Sequence, residues 1–571
     1  MLVRDKADGA RVMNAAGYAR LGLGLGLGPS LALALAGCGD SGGPGPSTSP
    51  TPVNTSLGNL VASQSFANNA ATSAASFDLT GGAVSSASSA ARALTFSYDL
   101  TSNSYTVTTD GRSQTFKPAD QSSASGGVAV YATTDRLTLE SASVAGYAGT
   151  GPQYSGLGYW QRYSVVGTEE STTIDFFTYG LDTAASAIPR TGQAAYAISL
   201  YGLVALPGAE ARFFQGTGRF DVAFAIGVFV TAASTSEKGL ATGDAYAGGL
   251  GLAGSGTVSS SANAFSGSVT YSGANSTSTG TLTGRFYGPV ATELGATFDT
   301  AGADGSSTSG VIWGIQNSTL PATNLSLTGI VADQTLASPG AILTMPTGAA
   351  GSAALGAGSV GVTTGGATTV TPAGLTAITA SSTNRIASSG SNFISYQTGG
   401  TTLDLYAQGT ANSELALTYS SFARYAAPVG GGTTVAYQVY GLNTAANVIA
   451  ARTGSANYSG VAYGTAWNSA SSAGVKGTAS FTVNFDFGGY SGSFGLKNAG
   501  TDYGNFNISG AIGAGTAAIG SVTGTSGAGN GASGQFAPTF FGPNGQEFGG
   551  PFTITTPTGT TIVGAALGKG G

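Results

Sequence analysis

The sequence predicts an all-β chain built as two tandem lobes, and three observations support that prediction. Apolar residues occupy every second position in segments such as 220–227 and 481–488, the period at which side chains share one face of a sheet. Glycine-bearing breaks recur regularly, and no sustained helical periodicity follows residue 58. Long motifs of the first half return in the same order in the second half. These patterns indicate short strands joined by tight turns in antiparallel sandwiches or barrels.

The composition excludes several classes of enzyme. The 571 residues include 94 glycines, one cysteine and no histidine, and charged residues make up only 8%. Without histidine the chain has no Ser-His-Asp or Cys-His nucleophile pair and no imidazole metal ligand. The 24 tyrosines and 26 phenylalanines suffice for packed cores, so the low charge does not indicate disorder. We therefore expect a binding or structural protein with no catalytic residue, no cofactor and no metal. Because basic residues are not clustered, we expect no nucleic-acid partner.

The first 37 residues predict a lipoprotein signal peptide. Four basic residues precede an apolar run, 21–35, that ends in Leu-Ala-Gly-Cys with the only cysteine of the chain at position 38. A basic stretch, a short apolar core and small residues before a cleavage site are the features of a secretory signal. The tetrapeptide resembles the bacterial lipobox, in which the cysteine is acylated and becomes the mature N-terminus. Translation starts at Met1 or Met13 in this interpretation.

The residues after the signal predict an anchored protein. A Gly/Pro/Ser/Thr-rich stretch follows Cys38 and is typical of a flexible tether. Gly39, rather than an aspartate, directly follows the cysteine, which favours the outer membrane over the inner membrane. We therefore expect an outer-membrane lipoprotein, held in the lipid bilayer through acylated Cys38 and facing the cell exterior.

The mature chain consists of two copies of one unit. Three pairs of matching segments stand in the same order, namely 179–188 with 440–449, 220–227 with 481–488, and 286–295 with 540–549. Each copy is far longer than the repeat of a solenoid protein. The sequence therefore predicts a duplicated, bilobal protein.

The strongest motifs lie at the end of each copy. A tyrosine strand follows Thr-Gly, an alternating phenylalanine strand ends in glycine, and Phe-[Tyr/Phe]-Gly-Pro-x-x-x-Glu-[Leu/Phe]-Gly begins the final hairpin. The residues of this last motif are Phe286, Tyr287, Gly288, Pro289, Glu293 and Gly295 in the first copy and Phe540, Phe541, Gly542, Pro543, Glu547 and Gly549 in the second. In this order the motifs resemble the C-terminal β-barrel domain of the transferrin-binding protein B family of surface lipoproteins.

The resemblance implies two tandem lobes, each with a strand-rich handle domain followed by a small soluble antiparallel β-barrel. Within the handles, the segment 317–380 is Gly/Ala/Thr-rich and poor in core residues. The implied domains are a signal peptide (1–37), a tether (38–57), a first handle-like β domain (58–187), a first β-barrel (188–316), a linker with a second handle-like β domain (317–450), and a second β-barrel (451–571).

The Gly-Pro motif also has a physical interpretation of its own. Glycine can adopt a positive φ and proline fixes the following φ near −65°, so the pair predicts a tight turn whose flanking aromatic residues close the core. Glu293 and Glu547 follow the turn, where a carboxylate can accept backbone N–H bonds. Because these glutamates lie in different lobes, they do not form an acid/base pair, and we predict a structural role for both.

The resemblance implies a surface lipoprotein that captures an iron source or another nutrient for a TonB-dependent outer-membrane transporter. Its partners would be that transporter and an iron-carrying protein or haem; the ligand contacts stay unassigned. One alternative is a structural or adhesive surface lipoprotein without a transport role, in keeping with the low-charge Ser/Thr/Gly surface.

Direct haem binding is a further alternative. A tyrosine phenolate would have to be the axial ligand, because histidine and a free cysteine are lacking. Tyr154, Tyr159 and Tyr163 surround Trp160 in the sequence, although such spacings in a β domain more often belong to a core.

Overall fold

The computed structural model describes residues 2–4, 11–13 and 52–570, except 110, 142–143, 145–146 and 389. Strands β1 (Leu2–Arg4) and β2 (Arg11–Met13) pair with each other at the start of the chain. The rest of the predicted signal peptide, Cys38 and the tether as far as residue 51 lie outside the described residues. Within the described ranges, none of the helices combines the length and apolar character that a membrane crossing requires.

The predicted all-β class is confirmed. Helical structure in the described ranges amounts to one five-residue α-helix, α1 (Ala446–Ala450), and a few 3-10 turns. The strands form two lobes, and each lobe joins an open set of strands, which we call the handle, to a closed barrel.

The first handle contains two antiparallel sheets. A seven-stranded sheet has the order β5-β4-β13-β12-β11-β10-β9, and a four-stranded sheet has the order β3-β6-β7-β8. Phe96 and Phe116 of the small sheet and Trp160 and Phe177 of the large sheet pack in one buried cluster. The strands are β3 (Gln64–Phe66), β4 (Ala70–Asp78), β5 (Val84–Arg92), β6 (Thr95–Asp99), β7 (Ser104–Thr109), β8 (Arg112–Phe116), β9 (Gln121–Ser125), β10 (Val128–Ala132), β11 (Arg136–Glu140), β12 (Ser155–Val166) and β13 (Glu169–Gly180).

The first barrel is a closed ring of eight strands in the order β14-β15-β16-β18-β19-β20-β21-β22. The ring closes because β14 pairs with both β15 and β22. Its interior is filled by side chains that include Tyr196, Phe220, Phe265 and Phe286. The strands are β14 (Gln193–Ala205), β15 (Arg212–Ala223), β16 (Val228–Gly239), β17 (Ala245–Tyr246), β18 (Gly251–Val258), β19 (Phe265–Ser272), β20 (Thr277–Tyr287), β21 (Glu293–Ala301) and β22 (Ser307–Gln316).

The second handle differs from the first, because its strands form one nine-stranded sheet in the order β26-β25-β24-β23-β31-β30-β29-β28-β27. The segment that looked poor in core residues contributes four of these strands, and its aliphatic side chains Leu336, Val360, Val370 and Ile378 are buried in one cluster. The strands are β23 (Gln334–Met345), β24 (Ser352–Val362), β25 (Thr368–Thr371), β26 (Ile378–Ala380), β27 (Arg385–Ile386), β28 (Phe393–Thr398), β29 (Thr401–Tyr406), β30 (Ser420–Val429) and β31 (Gly432–Gly441).

The second barrel repeats the closed eight-strand ring, here in the order β32-β33-β34-β35-β37-β38-β40-β41. Tyr458, Phe481, Phe494, Phe536 and Phe548 lie in its core. The strands are β32 (Ser455–Trp467), β33 (Ser472–Asn484), β34 (Gly489–Lys497), β35 (Asp502–Gly513), β36 (Thr516–Ala517), β37 (Gly520–Gly524), β38 (Ser533–Phe536), β39 (Thr539–Phe541), β40 (Glu547–Thr555) and β41 (Thr561–Gly570).

Each handle packs one face of its sheet against the outer wall of its barrel. In the first lobe, Leu157 and Phe176 of the handle contact a cluster that includes Trp313 of β22. In the second lobe, Phe422 belongs to a cluster with Val563 of β41. The junction of handle and barrel is therefore a buried interface in both lobes, and the two repeated motifs meet there.

Candidate functional site at the handle–barrel junctions

The end of the first handle lies on the Gly-Pro turn of the first barrel. The Thr183 N–H donates to the Phe286 carbonyl at 3.1 Å, and its hydroxyl donates to the Gly288 carbonyl at 2.6 Å. The Gly288 N–H in turn donates to the Leu181 carbonyl at 3.0 Å. The second lobe repeats these contacts with Thr444, Phe540, Gly542 and Leu442. The repeated segments 179–188 and 286–295 of the first lobe therefore contact each other, and so do 440–449 and 540–549 of the second lobe.

A buried carboxylate ties the two domains together beside this turn. Glu293, at the start of β21, is 3% exposed and accepts the backbone N–H groups of Gln153, Tyr154 and Ser155 at 2.7, 3.1 and 2.8 Å. It also accepts the Ser155 hydroxyl at 2.6 Å, and the Ser155 oxygen accepts the indole N–H of Trp313. All four donors to the carboxylate come from the handle.

The second lobe builds the same arrangement around Glu547. This residue is fully buried and accepts the N–H groups of Thr418, Tyr419 and Ser420 at 2.6, 3.1 and 2.8 Å, together with the Ser420 hydroxyl at 2.8 Å. Burial raises the pKa of both glutamates, and the hydrogen bonds that they accept oppose that rise. Both carboxylates are occupied by the chain's own donors, which suits a structural bond better than proton transfer to a substrate.

The aromatic residues of the Gly-Pro motif divide between the barrel core and the junction. Phe286 and Phe540 point into the two barrels. Tyr287 instead shares a hydrogen bond of 2.9 Å with the Thr178 hydroxyl of the handle, and Phe541 packs in the second junction. Successive residues of a strand face opposite sides, so one dipeptide serves both surfaces.

The remaining motif residues shape the turn. Pro289 is exposed, whereas the Pro543 carbonyl accepts the Ser255 hydroxyl of the first barrel at 3.0 Å, a contact between the lobes. A Cβ added to Gly295 would lie 2.7 Å from the Thr178 side chain, and one added to Gly549 would meet backbone of β41. Gly295 therefore allows close approach of the handle to the barrel, and Gly549 allows close approach of the neighbouring strand β41.

Gly542→Ala is expected to destabilise the second lobe by more than the backbone cost alone. Gly542 has a φ of 88°, which costs an alanine roughly 1–2 kcal/mol, and the new methyl group would lie 2.7 Å from the Tyr419 ring, which adds about 1–3 kcal/mol. Gly559→Ala is the matched control, because Gly559 has a φ of 83° and nothing within 4 Å of an added Cβ. Equal losses in denaturant unfolding for the two variants would contradict the packing argument.

Each lobe also carries a surface cavity. The cavity of the first lobe measures about 580 Å3 and lies between handle residues, including Asn68, Asn69, Arg92 and Thr95, and Thr283 of the barrel. The sequence did not reveal it, because its walls come from the ends of different strands, 68–70, 91–95 and 108–109, which only the fold brings together.

The cavity of the second lobe is similar in size, about 590 Å3, but different in chemistry. Phe393, Arg424 and Asp404 of the handle line one side, and Lys476 and Lys497 of the barrel line the other. Arg424 lies 3.2 Å from Asp404, whose other carboxylate oxygen accepts the Ser395 hydroxyl at 2.6 Å. This cavity therefore brings together four of the twelve charged residues of the second lobe, three of them basic.

The structure separates the aromatic residues of the haem hypothesis. Trp160 is buried between the two handle sheets, where its indole N–H donates to Asp135 at 3.2 Å. Tyr159 precedes it on β12 and faces the opposite way, into the junction, where burial raises its pKa to about 12. Tyr163 is 40% exposed at the far part of the same strand. These side chains do not form one stacking surface, and Tyr159 stays a neutral phenol near neutral pH.

The described residues also contain no group of three or more Asp, Glu, Cys or His side chains placed to hold a metal ion.

Neither a scan of protein-family models nor a search of curated proteins finds a match to the chain. Among solved structures, it is similar to isotype 1 transferrin-binding protein B from serogroup B Neisseria meningitidis, with 16% identity, coverage of 75% of this chain and 86% of that chain, and a TM-score of 0.29. The fold resembles transferrin-binding protein B. A double mutant of transferrin-binding protein B from Haemophilus parasuis Hp5 is also similar, with 16% identity, coverage of 73% and 83%, and a TM-score of 0.27.

A surface lipoprotein structure is similar over 43% of this chain and 98% of its own length, with 13% identity and a TM-score of 0.24. The resemblance to transferrin-binding protein B that the motifs suggested is confirmed at the level of the fold. At these identities and scores the residues and ligands of those proteins do not transfer, so the function is argued from the chain's own geometry.

Proposed function

We propose that this chain is a ligand-capture lipoprotein of the outer-membrane surface, without enzymatic activity. In this proposal Cys38 carries the lipid anchor, and the two lobes hold a nutrient ligand for a TonB-dependent transporter. The observation that carries the proposal is the pair of cavities of about 580 and 590 Å3, one in each lobe, of which the second lies between handle and barrel. Their volumes fall in the range of roughly 300–1,000 Å3 that is common for small-molecule sites.

Two features of the lobes support binding at the junctions. The barrel interiors are occupied by aromatic side chains, which leaves the junctions and outer strands as the surfaces on which a ligand can be held. The buried bonds of Glu293 and Glu547 fix each handle on its barrel, so that the handle and barrel walls of the second-lobe cavity keep their relative position. A fixed site loses little conformational entropy when a ligand binds.

Purification from the native outer membrane tests the proposal. An affinity tag inserted in the tether, between Cys38 and Asn54, leaves both lobes intact, and the full chain can be recovered in mild detergent. We expect an outer-membrane transporter, an iron-carrying protein or another nutrient complex to be retained with it. The matched control is Cys38→Ser, which should leave the membrane fraction while its circular dichroism stays that of a β-rich protein. A folded chain that retains neither transporter nor cargo would favour the structural or adhesive alternative.

A further inference from the structure

The second-lobe cavity contains a pair of lysines whose placement requires an explanation. Lys476 of β33 and Lys497 of β34 stand directly opposite each other in the strand register. Directly opposed residues project from the same face of a sheet, and like charges in that arrangement destabilise it. Both side chains are exposed, and no ion pair of the described residues includes either one. On its other side Lys497 stands opposite Asp502 of β35, whose carboxylate accepts the Gly504 N–H and forms none of the ion pairs of the described residues. The two ammonium groups can therefore bind an anion from solution.

The charge of the cavity wall is positive. Arg424 adds a third cation from the handle side, and Asp404 is the one carboxylate among the lining residues. That carboxylate is already shared between Arg424 and the Ser395 hydroxyl. Beside the cavity, Glu414 accepts hydrogen bonds from Asn392, Tyr406 and Tyr463, so its carboxylate is likewise committed to the protein.

The first lobe provides an internal comparison. Lys476 lies five residues before the repeated phenylalanine of its strand, and the residue at that position in the first barrel is Gln215. The residue opposite Gln215 is Ser236, so the same place in the same fold carries two neutral side chains. A barrel of this kind therefore closes without the lysine pair, which argues that the charges serve something other than folding.

Aromatic side chains complete the site. The rings of Phe393 and Tyr463 meet edge to face with centroids 5.1 Å apart, and both residues line the cavity. Aromatic rings bind flat or apolar groups, while ammonium and guanidinium groups bind carboxylate and phosphate oxygens. The cavity thus pairs an apolar wall with three cations.

We infer that the second-lobe cavity binds an anionic ligand with two or more carboxylate or phosphate groups attached to an apolar body, and that Lys476, Lys497 and Arg424 hold its acidic groups. This inference rests on the proposed capture function, because it assigns the ligand class to one of the two cavities. The two lobes then have different tasks, since the first cavity lacks the lysine pair.

Pyranine, a flat aromatic trisulfonate, is a suitable fluorescent probe for the full chain. We expect saturable binding that weakens with added salt and is displaced by citrate or by pyrophosphate; the more effective competitor distinguishes a carboxylate ligand from a phosphate ligand. In the double variant Lys476→Gln/Lys497→Gln, the Kd should rise about tenfold or more. The matched control is Lys117→Gln/Arg385→Gln, which removes the same charge from exposed positions elsewhere and should leave the Kd unchanged.

The possible results separate the site from the wider function. Equal pyranine affinity for the lysine variant and its control would overturn the anion site, whatever the membrane purification retains. A selective loss of pyranine affinity in the lysine variant would support the anion site even where no transporter or cargo is recovered. In that case only the proposed delivery to a transporter would be rejected. Because all four substituted residues are exposed, the control should keep the unfolding midpoint of the parent chain, and the lysine variant, which loses a like-charge pair, should unfold at an equal or slightly higher midpoint.

Discussion

Glu547→Ala is expected to lower the free energy of unfolding of the second lobe by about 3–5 kcal/mol. The substitution leaves three backbone N–H groups and the Ser420 hydroxyl without their acceptor, and an unsatisfied buried donor costs about 1–3 kcal/mol. The loss should begin where the handle is attached to the barrel. Hydrogen–deuterium exchange is the decisive measurement, because the N–H groups of Thr418, Tyr419 and Ser420 should lose protection first.

The duplication supplies the control for that experiment. Glu293→Ala should expose the N–H groups of Gln153, Tyr154 and Ser155 and leave those of the second lobe protected. Asp486→Ala removes an exposed carboxylate of the same lobe as Glu547. Water can replace the hydrogen bond that Asp486 accepts from the Gly454 N–H, so this variant should change the unfolding midpoint little. If Glu547→Ala and Asp486→Ala have equal effects, the buried carboxylate does not hold the junction together.

The fold was largely predictable. Alternating strands such as 220–227 are visible within short windows, and a comparison of the two halves of the chain shows the repeated motifs; together they predicted two β lobes. The barrel at the end of each lobe was implied by the resemblance to the transferrin-binding protein B family. The purpose of the motifs was not visible. Thr183 lies about a hundred residues before its partner Gly288. The repetition of both segments indicates that each matters to the structure, but it does not show that the two segments contact each other.

The candidate site was hidden for the same reason. The cavity of the second lobe combines Phe393, Arg424 and Lys476, which no local pattern connects. Strand alternation separates the aromatic residues of the haem hypothesis: Tyr159 and Trp160 are neighbours in sequence and lie on opposite faces of β12. Adjacent positions in the sequence suggested a cluster there that the fold does not form. The lysine pair was not predicted, because Lys476 and Lys497 come together only through the register of β33 and β34.

The first lobe is expected to become less stable as the pH rises from about 5 to 8, because of Glu140. This residue ends β11 at the junction, is 9% exposed and has the Tyr201 hydroxyl at 3.4 Å as a hydrogen-bond donor. Burial raises its pKa from 4.5 to about 7. The folded protein therefore holds a proton that the unfolded chain has already released. Stability falls between pH 4.5 and 7 and levels off above that range, with a total change of about 3 kcal/mol.

Glu140→Gln separates this effect from all other titrations. A glutamine is neutral at every pH, so the variant should match the parent chain within about 1 kcal/mol at pH 5 and exceed its stability by about 1–3 kcal/mol at pH 8. Urea unfolding at four or five pH values measures both slopes, and Glu169→Gln, at an exposed position of β13, is the control that should keep the parental slope. Parallel profiles for Glu140→Gln and the parent would mean that water reaches the Glu140 carboxylate. A flatter stability profile for Glu140→Gln than for the parent chain would show instead that the first junction excludes water. The handle–barrel interface of the parent chain would then be more stable at acid pH than at basic pH.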